Sequence, residues 1–129
     1  MSSTKFSKPI DTEISELNGH IARNETFSTE ETEIGTYRGL PLFRKVLTHG
    51  SYTDNAEQAM LALGNNAYVV NMYGVITQND GSRVAANHYY SVDSYSSMWQ
   101  GANNNVYFRG HPAGTSGRFV VEYTKATPT

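Results

Sequence analysis

The 129-residue sequence contains no cysteine. That excludes disulfide frameworks, CxxC zinc sites and thiol catalysis, and it is compatible with either redox compartment. Charge is also scarce, with Asp, Glu, Lys and Arg at 17% of residues, below the ~25% of ordinary globular domains. No apolar run approaches the ~20 residues of a membrane helix; the longest that matters, Ala67-Tyr68-Val69-Val70, is the size of a strand. The net charge of -2 lacks the basic excess of a nucleic-acid binder, and no basic amphipathic stretch points to a membrane surface. Residues Met1 to Phe6 carry no apolar core of a signal peptide, so no Sec signal is expected there.

Neutral polarity takes the place of charge. Asparagine, serine and threonine supply 36 of the 129 residues, and aromatic residues reach 12% through nine tyrosines. Plentiful aromatic and β-branched residues separate this composition from that of a disordered chain. The length favours one domain with a short arm. Residues 1–33 hold seven acids and three bases, whereas residues 34–129 hold five acids and seven bases. An acidic arm therefore leads into a near-neutral body, with the boundary placed between 1–26 and 27–129.

In the arm, Ile10, Ile14, Leu17 and Ile21 are spaced 4, 3 and 4, the seam of a short coiled coil. The intervening residues are polar, so the apolar stripe is narrower than that of an ordinary globular helix. A helix of this length is marginal alone. Copies of itself would bury the seam, and isoleucine at both seam positions leans towards a parallel homotrimer. Packing on its own domain is the other reading of the same helix.

From residue 27 the local signals are β. Glu33–Tyr37 and Leu40–Leu47 flank a turn at Arg38-Gly39; Ala67–Ile76 is a long strand that ends at Asn79-Asp80-Gly81-Ser82, the strongest hairpin signal. Arg83–Tyr90 returns from it, and Asn104–Arg109 and Arg118–Thr124 follow. Asp54–Leu63 fits a short helix or a strand. Short strands with frequent turns predict an antiparallel β-sandwich, jelly-roll-like, with Phe43, Val70, Met72, Phe108, Phe119 and Val121 in its core.

Catalytic signals are thin. His20, His49, His88 and His111 are scattered without metal-ligand spacing, so no metal and no cofactor is expected. Asp54, Glu57, Asp80 and Asp93 offer carboxylates for glycoside hydrolysis, but Asp80 fits a turn and Glu57 a solvated charge; only Asp93 has an aromatic setting. There is no GxSxG elbow and no GxxxxGK[ST] phosphate loop. The distinctive stretch is 87–105, which joins aromatic residues to amides and hydroxyls with almost no formal charge. Rigid aromatic rings with adaptable hydrogen-bonding groups suit recognition, and a sugar presents both apolar C–H faces and hydroxyls. The candidate ligand-binding residues are His88, Tyr89, Tyr90, Tyr95, Trp99, Asn103 and Asn104. The same rings would equally serve as plain core.

Phe27-Ser28-Thr29-Glu30-Glu31, followed by Gly35-Thr36-Tyr37-Arg38-Gly39-Leu40-Pro41-Leu42-Phe43-Arg44-Lys45, resembles a motif of tail-associated proteins of phages and prophages. There Trp is usual at the place of Tyr37, and Asp is common at that of Arg38. The end, Val120-Val121-Glu122-Tyr123-Thr124-Lys125, looks like the closing strand of the same domain. The resemblance spans about 27–125 and implies the receptor-binding head of a tail fibre or baseplate protein, carried on the virion. Its implied partners are a host cell-surface polysaccharide and other tail or baseplate proteins, with no nucleic acid and no membrane insertion. It brings no catalytic residues. A structural fibre tip and a small glycan-degrading enzyme are the alternatives.

Overall fold

A computed structural model describes residues 27–64 and 66–127, without the side chain of Tyr90. The arm seam Ile10, Ile14, Leu17 and Ile21 lies outside the described residues. The described chain is mainly β and contains no helix. Its strands are β1 (Thr32–Tyr37), β2 (Leu40–His49), β3 (Glu57–Ala62), β4 (Tyr68–Gln78), β5 (Arg83–Ala85), β6 (His88–Ser91), β7 (Ser94–Gln100), β8 (Asn105–Arg109) and β9 (Gly114–Thr124). They form two antiparallel sheets, ordered β1-β2-β9-β4-β5 and β3-β8-β7-β6.

The turns follow from local chemistry. Arg38 and Gly39 both have positive φ, 49° and 81°, as a two-residue hairpin between the paired Tyr37 and Leu40 requires. At the predicted hairpin, Gly81 N–H donates to Gln78 O and Gln78 N–H to Ser82 O. The Asp80 carboxylate accepts the Ser82 N–H at 2.8 Å, and that bond holds its carboxyl below its ordinary value. The ambiguous 54–63 stretch contributes β3. A bulge between Ala59 and Leu61 breaks its alternation, so that Met60 and Leu61 both pack towards the core; the broken period mimics helical spacing.

The inner faces of the sheets share one core, as in a β-sandwich. Phe119, Val121 and Tyr123 of β9 join Leu47 and Ile76, and across the gap Met98, Val106 and Phe108. The Phe108 and Phe119 rings stand 4.9 Å apart and tilted by 47°. Of the expected core, Phe108, Phe119 and Val121 are fully buried, while Phe43 and Met72 are half-buried at its margin. Val70 is a correction: the β4–β9 register slips between Val69 and Asn71, so Val69, not Val70, packs inward with Met72. A bulge hands the inward position to the neighbouring residue.

Arg83–Tyr90 is a second correction, because it is not one returning strand. β5 pairs with β4, whereas β6 pairs with β7 in the other sheet. The chain crosses at Ala86, which is buried and donates its N–H to Gly74 O at 2.9 Å. The Asn87 amide oxygen then receives the Met98 N–H at 3.0 Å, which satisfies main chain at the crossing.

The beginning of the head is fastened to its end. Val46 N–H donates to Ser28 O at 2.8 Å, and Glu31 takes an ion pair from Lys125 at 2.6 Å and a hydrogen bond from the Tyr123 hydroxyl. Burial raises the Glu31 carboxyl, but the bonds from Lys125 and Tyr123 and the charges of Lys125 and Lys45 outweigh it, so the net shift is downward. The Tyr123 phenol is pushed up by burial and by Glu31.

Because the folded Glu31 value lies below its ordinary 4.5, its contribution to stability is complete above that value and disappears as pH falls through the folded one. Melting curves of the parent and Glu31→Gln are expected to differ at neutral pH and to converge in acid. A second expectation concerns Phe119, whose ring fits over two glycines. A Cβ on Gly74 would lie 2.6 Å from both Arg118 O and Phe119 Cδ1, and one on Gly117 2.6 Å from Phe119 Cζ. Gly74→Ala is expected to cost about 1–3 kcal/mol by overpacking, read from denaturant titration.

Candidate functional site

The 87–105 stretch is mostly strand. Period-2 alternation along β7 buries Ser96 and Met98 and turns Tyr95, Ser97 and Trp99 to the opposite, outer face. Register then sets their neighbours: Tyr89 stands opposite Tyr95, while Trp99 stands opposite Tyr107 and Ser97 opposite Arg109. Four aromatic side chains from three strands are thereby gathered on the outside of the four-stranded sheet.

Their contacts order the face. The Trp99 and Tyr107 rings stack at 5.6 Å and 15°. The Arg109 guanidinium lies 4.3 Å over the Tyr95 ring, donates from Nη1 to the Tyr95 hydroxyl and from Nη2 to Asp93 O, both at 3.2 Å. Tyr89 is 69% exposed, and Val92 in the β6–β7 turn 76%; Trp99, Tyr95 and Tyr107 are half-buried. The exposed ring is open to solvent, and the half-buried rings are held in place by the stack and by Arg109.

The amides divide. In the turn between β7 and β8, Asn103 Nδ2 donates to the Tyr107 hydroxyl at 2.7 Å and Asn103 Oδ1 accepts the Asn105 N–H at 3.1 Å, so Asn103 borders the aromatic face. Asn104 instead takes a positive φ of 67°, and its Oδ1 accepts from Gln100 Nε2 at 3.4 Å. Gln100 in turn bonds Val69 N–H and Ala67 O across the end of the two sheets, each at 3.0 Å. Asn104 thus supports the turn and stands apart from the aromatic face. His88 stands opposite the buried Ser96, on the inner side of β6. It meets the face only through an open cleft of about 330 Å³ that it lines with Tyr89 and Tyr95. The Tyr90 side chain lies outside the described residues.

Tyr107 and Arg109 are the site residues that sequence reasoning missed. The signal was present: they alternate with Val106 and Phe108 in a strand already expected, and only the pairing of β8 with β7 was lacking.

The four carboxylates lie on separate elements. Asp80 belongs to its turn, Glu57 stands opposite Arg109 on β3, and Asp93 contributes its main-chain oxygen. Asp54 bonds His111 Nδ1 at 2.5 Å. Ser96 Oγ donates to His111 O and accepts the His111 N–H, which ties β7 to the segment after β8. Among the described residues, no three His, Cys, Asp or Glu side chains form a group that could hold a metal ion.

Gly101 makes room for Tyr107: a Cβ there would lie 2.8 Å from Tyr107 Cε2 and 3.0 Å from Asn103 Oδ1. Gly101→Ala is expected to displace the ring and its Trp99 stack. The near-UV circular dichroism should change, with a smaller loss of stability than Gly74→Ala, since a surface ring yields more readily than main chain. Compared with known proteins, the chain matches no family model, no curated protein and no solved structure.

Proposed function

We propose that this chain is the receptor-binding tip of a phage tail fibre, attaching the virion to a glycan on the host cell surface. The observation that carries the reading is the gathering of Tyr89, Tyr95, Trp99 and Tyr107 with Asn103 and Arg109 on one outer sheet face. Aromatic rings stack on the C–H faces of a sugar, while amide, hydroxyl and guanidinium groups around them bond its hydroxyls. Arg109 donates there to neutral oxygens and stands opposite the acid Glu57, so the face has little net charge to steer a ligand. Affinity per site is accordingly low and nearly independent of salt.

In this reading residues 1–26 form a trimeric coiled-coil arm through Ile10, Ile14, Leu17 and Ile21, and residues 27–129 a jelly-roll-like head. Three heads on one arm supply avidity, because the second and third contacts form at high effective concentration. Other tail or baseplate proteins hold the arm. A purely structural fibre tip is the second reading, favoured by the mutual stacking of Trp99 and Tyr107.

Two variants separate these readings. Tyr89→Ala alters an exposed ring and should leave the melting temperature unchanged; Trp99→Ala removes half of the stack. Both are expected to lower adsorption to host cells strongly, and the loss should persist in high salt. Folded variants that adsorb as well as the parent would overturn the glycan face in favour of the structural tip.

A further inference from the structure

The outer face of the five-stranded sheet is a different kind of surface. Register places Val46, Val120 and Tyr73 in one row and Thr48, Arg118 and Val75 in the next, with Arg83 opposite Thr77 beside them. All of these but Val46 line a groove of about 510 Å³. Its floor is apolar: Tyr73 and Val75 are 43% and 49% exposed beside the buried Val120. Arg83, Arg118 and His49 line it, and no acid does. Neither Arg83 nor Arg118 makes an ion pair among the described residues. Contiguous exposed apolar surface rimmed by unneutralised charge marks a site of association.

The complementary surface lies at the other end of the same sheet. Along the β1 edge, Glu30 and Glu33 are exposed and likewise make no ion pair among the described residues. Phe27, 56% exposed, has one face of its ring 4.3 Å from the Arg44 guanidinium on the outer side of the sheet, whereas Glu33 stands opposite the inward-packing Phe43. Residues 1–26 join the head at this point, so an arm shared between copies would bring this edge close to a neighbouring head.

We propose that the groove receives the β1 edge of a second copy of this chain, with Phe27 against Tyr73, Val75 and Val120, and Glu30 against Arg118. The two surfaces differ, so the contact is heterologous, and a heterologous contact closes into a ring when the rotation permits. The inference rests on the homotrimer of the preceding section, which is such a ring. A face-to-face dimer would instead set Arg118 against Arg118, and like charges in an interface are costly. The edge-to-face ring leaves the aromatic face of the other sheet on the outside of all three heads.

The test is light scattering on the full chain at tens of micromolar. The parent is expected at three times 14.3 kDa. The trimer is then followed on dilution, because the arm alone could hold the copies together. Arg118→Glu, at an exposed and unpaired position, is expected to dissociate at a concentration about tenfold above that of the parent with an unchanged far-UV spectrum, as is Glu30→Lys. Combining the two reversals should bring dissociation back towards that of the parent. If either charge variant dissociates over the same concentration range as the parent, or the combination dissociates as readily as the single variants, the edge-to-face contact is overturned while the trimer stands. A parent of 14.3 kDa overturns the contact and the trimer together; the glycan reading, tested by adsorption, is untouched.

Discussion

Everything in this head depends on how β9 is seated. It lies between β2 and β4 in the five-stranded sheet, and its Phe119 ring fits into the slot left by Gly74 and Gly117 before meeting Phe108 of the opposite sheet. A single side chain thereby couples sheet pairing to sheet stacking. Close packing leaves no slack for a Cβ at either glycine, so the local register of β4 against β9 is settled by the same contact that closes the core. The last strand in sequence is central in space, which makes the pairing of β9 with β2 and β4 a contact of long sequence separation.

With the core held in this way, the two outer faces are free to differ. The four-stranded sheet carries rings from β6, β7 and β8, ordered by stacking and by Arg109. The five-stranded sheet carries an apolar floor between unpaired arginines. Antiparallel sheets with one solvated face ordinarily alternate apolar-in with polar-out, and each sheet departs from that rule in its own chemistry. The two proposed roles follow that difference: rings bordered by amide and hydroxyl groups for a neutral polar ligand, and a cationic groove for an acidic protein surface.

The fastening of Glu31 to Lys125 and Tyr123 closes the described chain on itself. It joins the segment before β1 to the end of the closing strand. The start of the described chain is thereby connected to β9, at the centre of the sheet, by side chains as well as through the main chain of β1 and β2.

Strand content, the Asn79-Asp80-Gly81 hairpin and the inward set Phe119, Val121 and Phe108 were legible in the sequence, because turn chemistry and period-2 alternation are local properties. The aromatic richness of 87–105 was legible for the same reason. Val70 and the 83–90 stretch were not, since a bulge in one case and a change of sheet in the other arise only where two strands compete for the same core. The site was legible in half: Tyr89, Tyr95, Trp99 and Asn103 could be named, but Tyr107 and Arg109 join them only when β8 pairs with β7, and Asn104 and His88 leave the face because a turn and a strand side direct them elsewhere. The sequence by itself determined which residues alternate and where the chain turns. The tertiary structure alone decided which alternating faces lie side by side, because strand register is set by packing partners distant in the chain.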